Sequence, residues 1–239
     1  MLSAKSLSIS IQWKQILKDI NLNFVPGKNY SILGPNGSGK SSLALAIMGH
    51  PKYKITAWTI LVDKKSINTY TPHQRAKLWI FLAFQHIPEI QWIKVFEFLK
   101  SLYDAKNGTS TSFLQFKNII DPLLVSFRID REFLRRDINV GFSWGERRKI
   151  EILQLKLLQP TYIFLDEIES WLDVDAFKTI MKILKTINTK KNSLIIITHL
   201  FKILDHIPVD EVYVFDKWTI QIKGDKRLIA KIKKSWFTR

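Results

Sequence analysis

Alternating apolar and polar positions predict strands at the start of the chain. Over residues 2–24 the two kinds of residue alternate over short spans, and the turn residues Pro26 and Gly27 follow. This pattern is typical of strands joined by turns. The apolar run at 30–33 then predicts a buried strand, and residues 42–48 predict a helix after it.

Strand-like and helix-like segments alternate in the second half of the chain. Short apolar runs at 162–165 and 194–197 predict buried strands, and helices are predicted at 145–158 and 176–186. Apolar strands that alternate with helices indicate a mainly parallel sheet covered on both faces. The sequence therefore predicts an α/β fold.

The middle of the chain has a different character. Helical periodicity runs through 95–103 and again through 113–133, and the turn residues Asn107 and Gly108 separate the two stretches. We expect a single domain over residues 1–239. In this domain, 1–70 and 138–239 form the core and 71–137 form a helical subdomain.

A glycine-rich segment joins the strand at 30–33 to the helix after it. Residues 34–41 fit the pattern G-x-x-x-x-G-K-[ST], in which backbone N–H groups surround a phosphate chain at the positive end of a helix. In this pattern Lys40 reaches the β and γ phosphates, and the Ser41 hydroxyl binds Mg²⁺. The position between strand and helix favours a nucleotide site over a glycine turn without a ligand. The predicted nucleotide-binding residues are Gly34, Pro35, Asn36, Gly37, Ser38, Gly39, Lys40, Ser41 and Ser42.

Two acids end the strand predicted at 162–165. ATP hydrolysis needs a metal held opposite the phosphate loop and a carboxylate that orients the attacking water. Asp166 is the predicted metal ligand, and Glu167 is the predicted acceptor of the proton from that water. Considered without the phosphate loop, this pair could equally well be two solvated acids that end a strand. The phosphate loop upstream favours the catalytic interpretation.

Two further polar residues are candidates for the same site. His199 follows the strand at 194–197, and ligand groups gather at the carboxyl ends of strands in open α/β sheets. We therefore expect His199 to contact the γ-phosphate, although a lone histidine is more often structural. Gln85 has an amide that can contact both metal and water. Sequence alone also allows an ordinary loop glutamine at this position.

The segment 141–148 predicts a second anion site. It opens the helix at 145–158, so its backbone N–H groups lie at the positive end of that helix. One chain thus has two helix ends that can face phosphate groups. This arrangement resembles the ATP-binding cassette family, in which the signature loop of one subunit closes on the ATP held by the phosphate loop of another.

The resemblance to the cassette family implies further roles. It implies that Gln85 lies in the Q-loop and binds the metal, that 170–173 form the D-loop, and that His199 is the switch histidine beside the catalytic Lys40 and Glu167. The implied fold adds an N-terminal antiparallel β portion to the parallel sheet. The implied cofactors are ATP and Mg²⁺. The signature residues that would contact the ATP of a second subunit are Ser143, Trp144, Gly145 and Glu146.

More specific blocks at 76–90, 139–143 and 151–154 resemble the SufC family, the ATPases of SUF iron–sulfur cluster assembly. The resemblance covers about residues 7–223. It implies an ATPase that forms a homodimer around ATP, joins a SufB/SufD-type scaffold and drives a conformational change there. Two alternatives stay open: the nucleotide-binding subunit of an ABC membrane transporter, and a degenerate scaffold subunit that binds ATP without hydrolysing it.

Seven of the eight tryptophans fall where the SufC family usually has glycine. The chain has 9 glycines, about half of the usual share of roughly 7%. We hypothesise that a codon read here as tryptophan, most simply UGA, is read as glycine in the source or descends from mutated glycine codons. The seven positions are Trp13, Trp58, Trp79, Trp92, Trp144, Trp171 and Trp218.

Two of these tryptophans put turnover in doubt if they are genuine. At Trp144 the family backbone comes close to the γ-phosphate, so an indole there would demand room or strain the loop. Trp171 lies in the D-loop, which follows the dimer interface in the family. Trp13 has a second interpretation, because an aromatic residue near this position stacks on adenine in many cassette ATPases.

Composition limits the remaining possibilities. The net charge of +16 would suit an acidic partner, but the lysines are scattered, and only 223–239 is a concentrated basic stretch without a nucleic-acid motif. We therefore expect no nucleic-acid partner. The longest apolar runs are far shorter than the roughly 18 residues of a membrane span, and there are no cysteines for disulfides or metal ligation. The N-terminus lacks a secretory signal, and the many lysines, isoleucines and asparagines are typical of an AT-rich genome, which suggests a gene expressed in the compartment where its product works. Red-lineage plastids carry SufC-like genes, so the resemblance implies the plastid stroma for an organelle gene, and otherwise we expect the bacterial cytoplasm.

Overall fold

The computed structural model describes residues 1–236, without the side chains of Trp58, Ser235 and Trp236. The last three residues of the predicted basic stretch, and the side-chain surroundings of these two tryptophans, lie outside the described residues. The strands are β1 (Leu2–Ile11), β2 (Lys14–Phe24), β3 (Tyr30–Leu33), β4 (Lys54–Val62), β5 (Lys65–Ser66), β6 (Ile80–Ala83), β7 (Ile90–Lys94), β8 (Asp137–Ile138), β9 (Tyr162–Asp166), β10 (Ser193–Thr198), β11 (Glu211–Asp216) and β12 (Thr219–Gly224). The helices are α1 (Lys40–Ile47), α2 (Pro72–Ala76), α3 (Val95–Asn107), α4 (Phe113–Phe127), α5 (Trp144–Leu158), α6 (Val174–Ile187) and α7 (Arg227–Trp236).

The main sheet has six strands in the order β12-β11-β3-β10-β9-β6. All pairs from β11 to β6 are parallel, and β12 pairs antiparallel with β11. A second, antiparallel sheet has the order β2-β1-β4-β5. The predicted mainly parallel sheet and the N-terminal antiparallel portion are therefore both present.

The chain divides into two compact units. The first comprises Met1–Phe84, Pro160–Glu167 and the chain from Asn188 onward, and the second comprises Gln85–Gln159 and Ile168–Ile187. Strand β6 belongs to the main sheet of the first unit, although it falls inside the 71–137 segment expected to be helical. The division into a core and a 71–137 subdomain stays a prediction.

A large apolar core joins the two sheets of the first unit. Leu7 of β1, Ile32 of β3, Leu43 of α1 and Ile195 of β10 are all fully buried in it. The antiparallel sheet, the first helix and the main sheet therefore share a single core. This core fixes the turn between β3 and α1, where the phosphate loop lies.

Helices form most of the second unit. Helix α4 begins at a capping box, in which Ser112 accepts from the backbone of Gln115 and the Gln115 side chain accepts in return. The helix ends at Phe127, earlier than the predicted stretch 113–133, because Arg128 adopts a left-handed conformation with φ 52°. A short 3₁₀ helix at Arg131–Arg135 follows, capped by Asp130.

Four tryptophans have left-handed backbone conformations. Trp79, Trp92, Trp171 and Trp218 have φ angles of 62°, 68°, 67° and 69°. Such angles are outliers for bulky residues, whereas glycine adopts them freely. Lys217 and Trp218 are the two central residues of the β11–β12 hairpin turn, and the φ of Lys217 is 45°. A hairpin turn with two positive φ angles strongly favours glycine at its second central position. The backbone thus supports the glycine hypothesis independently of the family resemblance.

Candidate nucleotide site

The glycine-rich loop connects the middle of the main sheet to helix α1. Strand β3 lies between β10 and β11, and the loop leaves its carboxyl end. A Cβ atom at Gly34 would collide with the carbonyl oxygen of Phe215, and one at Gly39 would collide with the side chain of Leu17. The loop therefore requires glycine at both positions for steric reasons, as well as for their positive φ angles.

Lys40 lies inside the loop. Its side chain is 4% exposed, and Nζ donates to the carbonyl oxygens of Gly34 at 2.8 Å and Pro35 at 2.9 Å. Burial lowers the pKa of Lys40, and the nearby carboxylates of Glu167 and Asp166 oppose this shift. A buried ammonium group enclosed by the loop is placed to bind a phosphate chain.

Ser41 and Asp166 bring two oxygen ligands together. The Ser41 hydroxyl, in the first turn of α1, donates to Oδ1 of Asp166 at the end of β9 over 3.0 Å. Both residues belong to the first unit, and Asp166 is buried. Hydroxyl and carboxylate oxygens are the ligand types that Mg²⁺ prefers beside phosphate oxygens. The pair therefore fits the predicted metal site.

Glu167 and His199 form a hydrogen-bonded pair. His199 Nδ1 lies 2.9 Å from Oε1 of Glu167, and the Glu167 backbone N–H donates to the carbonyl oxygen of Ile197 at 2.9 Å. The Glu167 side chain is largely buried, whereas that of His199 is one-third exposed. The sequence indicated each residue separately but not their bond, because the bond depends on β9 and β10 being neighbours and on a φ of 47° at Glu167.

The remaining predicted site residues lie in the second unit. Gln85 is half-buried at the start of this unit. Ser143 caps α5 in a capping box: its N–H donates to the Glu146 carboxylate at 2.8 Å, and its hydroxyl accepts from the Glu146 N–H at 3.4 Å. The predicted signature residues thus form the first turn of α5, with Gly145 inside the helix.

The two questionable tryptophans differ in geometry. Trp144 is a helical residue in the first turn of α5, and its ring packs edge-on against His86 with centroids 6.1 Å apart. The backbone at Trp144 is therefore unstrained, and the other expectation, that the indole demands room near the γ-phosphate, stays a prediction. Trp171 does carry this strain, with φ 67° and a side chain that is 73% exposed. In the same segment, Asp173 accepts a hydrogen bond from the N–H of Ala176 at 2.7 Å, which fixes the start of α6.

Trp13 lies in the two-residue turn between β1 and β2. Its side chain is 91% exposed. This exposure suits stacking on a ring from outside the chain, but it suits an ordinary surface residue equally well. The adenine contact of Trp13 stays a prediction.

Comparison with known proteins finds similar sequences. A family model described as ABC transporter matches residues 17–170. The chain is 40% identical over 238 residues to the probable ATP-dependent transporter ycf16 of Antithamnion sp., covering 98% of this chain and 95% of that protein. It is 36% identical to vegetative protein 296 of Bacillus subtilis (strain 168), covering 97% and 89% of the two chains.

Solved structures show the same fold. The ATP-binding cassette MJ0796, in a dimeric post-hydrolysis state bound to ADP and Pi, superposes with a TM-score of 0.80 at 20% identity and covers 94% of this chain and 98% of that chain. A bacterial Atm1-family ABC exporter with ATP bound superposes with a TM-score of 0.77 at 16% identity, covering 97% of this chain and 40% of that chain. These likenesses confirm the predicted fold class.

Proposed function

The chain belongs to the ABC transporter family, and from this premise we propose that it is a SufC-type ATPase serving iron–sulfur cluster assembly. Family membership confirms the predicted enzyme class, which converts ATP and water to ADP and phosphate. It also confirms the predicted cofactors, ATP and Mg²⁺. The proposal concerns the residues that carry this activity, the assembly in which they act and the partner that they serve.

The arrangement of five side chains around the phosphate loop carries the proposal. Lys40 would neutralise the β and γ phosphates, and Ser41 with Asp166 would hold Mg²⁺. Glu167 would accept a proton from the attacking water, while the hydrogen bond to His199 holds its carboxylate in place. Mg²⁺ would offset the charge that develops on the transferred phosphoryl group.

The helix end at 143–146 supports an ATP-dependent homodimer. Its first-turn N–H groups lie at the positive end of α5 and would contribute to an anion site in the same chain that holds the phosphate loop. Two copies related by a twofold axis would each complete the other's nucleotide site, with Gln85 as a further metal ligand. In this assembly closure around ATP would drive the conformational change in a SufB/SufD-type scaffold.

The sequence blocks at 76–90 and 139–143 support the SufC assignment over other members of the family. A second candidate is the nucleotide-binding subunit of an ABC membrane transporter, which the name of the Antithamnion relative favours. No helix in the described part of the chain is long and apolar enough to cross a membrane. For the location we propose the plastid stroma for an organelle gene and otherwise the bacterial cytoplasm.

Turnover tests the catalytic part of the proposal. We expect the full chain to hydrolyse MgATP. The Glu167→Gln variant is expected to lower the hydrolysis rate at least about a hundredfold, while it still binds MgATP. Equal hydrolysis by the variant would remove Glu167 from the mechanism. Binding without any hydrolysis in the parent chain would instead support the degenerate scaffold subunit.

Affinity purification from the source tests the partner. If the chain is a SufC-type ATPase, its purification is expected to recover a soluble SufB/SufD-type scaffold in an amount that changes with ATP. Recovery of integral membrane permeases in place of a scaffold would reject the cluster-assembly role and favour the transporter subunit.

A further inference from the structure

Two sequence blocks that are far apart along the chain meet in the second unit. The Asn139 amide donates from Nδ2 to the carbonyl oxygen of Pro88 at 2.9 Å. Asn139 is 3% exposed and has φ 62°, a left-handed conformation that asparagine tolerates better than most residues. The segment just after Gln85 is therefore joined to the segment just before Ser143.

An arginine joins the same two segments from the helix side. Arg147 lies in the first two turns of α5, and its guanidinium nitrogen Nη2 forms an ion pair with Oε1 of Glu89. Its Nε donates to the carbonyl oxygen of Phe142 at 2.9 Å. The Arg147 side chain is 17% exposed and that of Glu89 is 43% exposed, so solvent screens this pair in part, but less than a fully exposed pair.

The strands β7 and β8 extend this connection. Ile90 pairs with Ile138 in the antiparallel ladder, and the Asp137 carboxylate accepts from Lys94 Nζ at 2.7 Å and from the Trp92 N–H at 3.1 Å. The segment that leaves Gln85 is thus held along its length by the segment that leads into α5.

We propose that Pro88, Glu89, Asn139 and Arg147 form a clamp that positions the signature turn relative to the Gln85 segment. None of the four is assigned a contact with nucleotide or metal, so they are positioning residues. A displacement of the Gln85 segment, by a partner or by the γ-phosphate, moves the first turn of α5 with it, because the clamp fixes both ends. The inference rests on the proposed ATP-dependent homodimer, since the signature turn acts there.

A charge exchange tests the clamp. In the Glu167→Gln background, which retains ATP, the variants Glu89→Arg and Arg147→Glu are each expected to weaken MgATP-dependent dimerisation by about 3–10-fold in analytical ultracentrifugation. The MgATP affinity of the monomer is expected to stay within about twofold, because its phosphate loop lies in the first unit. The double variant, with the two charges exchanged, is expected to restore dimerisation to within about twofold of the parent.

Two further variants separate positioning from general damage. Asn139→Gly retains the left-handed backbone but loses the hydrogen bond to Pro88, and it is expected to weaken dimerisation by about 3–10-fold. Arg131→Glu makes the same charge change as Arg147→Glu at the ion pair with Asp121 in the same unit, outside the clamp. This control is expected to leave dimerisation unchanged.

Hydrogen exchange of the monomer provides a readout that does not need the dimer. Within 144–147, the amides of Glu146 and Arg147 donate to Ser143, and they are expected to exchange faster in each single clamp variant and to recover their protection in the charge-exchanged double variant. The clamp would be overturned if the double variant lost as much dimerisation as the two single variants combined. It would also be overturned if the single variants dimerised and exchanged like the parent. A parent that never dimerises with MgATP would overturn the proposed assembly, and the exchange of 144–147 would still decide the clamp.

Discussion

Replacing Trp92 by glycine and by alanine separates the effect of its backbone conformation from the effect of its indole. Trp92 lies in β7 with φ 68°, at an irregularity in the pairing with β8, and its side chain is 89% exposed. We expect the Trp92→Gly variant to be more stable than the Trp92→Ala variant. Trp13 provides a matched control, because it is 91% exposed and is not among the described residues with positive φ.

The magnitude follows from three contributions. A side chain with a Cβ in the left-handed region costs about 1–2 kcal/mol that glycine avoids. The greater freedom of glycine in the unfolded chain costs about 0.5–1 kcal/mol in return. The covered tenth of the Trp92 indole contributes at most about 0.6 kcal/mol of apolar burial, and this is lost equally in the glycine and alanine variants. The glycine variant should therefore exceed the alanine variant by about 0.5–1 kcal/mol in free energy of unfolding.

Thermal and urea unfolding of the four variants measure this difference. Trp92→Gly is expected to melt about 1–4 °C above Trp92→Ala, and Trp13→Ala is expected to be at least as stable as Trp13→Gly. The opposite signs at two equally exposed tryptophans would identify the backbone as the cause. If alanine equals or exceeds glycine at position 92 as well, the steric argument is refuted.

The same argument applies to the protein as its source makes it. We expect peptide mass spectrometry of the native protein to find glycine at the four left-handed positions, which are Trp79, Trp92, Trp171 and Trp218 in the sequence as read. Tryptophan detected at these positions would reject the reading of the codon as glycine. The φ angles add evidence at these four positions that does not come from the family resemblance.

Three other substitutions test particular contacts. Arg75 donates from its buried guanidinium to the carbonyl oxygens of Ala46, Ile47, Asn68 and Tyr70, so Arg75→Met should lower the free energy of unfolding by about 2–4 kcal/mol in urea titrations. Hydrogen bonds from Lys100 and Thr111 lower the pKa of Asp104 from 3.8 to about 2, so its stabilising effect is present above pH 3.8 and is lost as the pH falls to about 2. The difference in melting temperature between the parent and Asp104→Asn should therefore shrink over that range, and an NMR titration of the carboxyl group checks the pKa. Gly34→Ala should abolish MgATP binding in calorimetry, because its Cβ would collide with the carbonyl oxygen of Phe215; unchanged binding would contradict the close approach.

Local patterns were enough to predict the order of strands and helices around the phosphate loop. The apolar runs that became β3, β9 and β10 are buried on both faces, and such uninterrupted apolar runs can be recognised within a short stretch of sequence. Two features depended on distant parts of the chain and could not be predicted in this way. Strand β6 joins the main sheet through β9, and α4 stops at Arg128 because of its backbone conformation rather than its hydrophobic pattern.

For the candidate site, local patterns likewise identified individual residues but not the contacts between distant segments. Lys40, Ser41 and Asp166 follow directly from a motif and a strand end, whereas the bond between Glu167 and His199 requires knowing that β9 and β10 are neighbours. The contact between Asn139 and Pro88 likewise joins segments about fifty residues apart, as the spacing of 51 positions shows. Sequence blocks identified both segments, but only the three-dimensional arrangement shows that they form one element.

We expect nucleotide binding and turnover to depend on different positions of this chain. The phosphate loop retains glycine where a Cβ would collide with Phe215 or Leu17, so nothing in its own sequence opposes nucleotide binding. The tryptophans that bear on turnover lie in the second unit, at Trp144 and Trp171. Because Trp144 is an ordinary helical residue and Trp171 is left-handed, only the second is strained in the chain itself. Any effect of Trp144 must then arise from the space that its indole occupies when a second subunit approaches. Nucleotide binding by the monomer and closure of the dimer should accordingly respond to different substitutions.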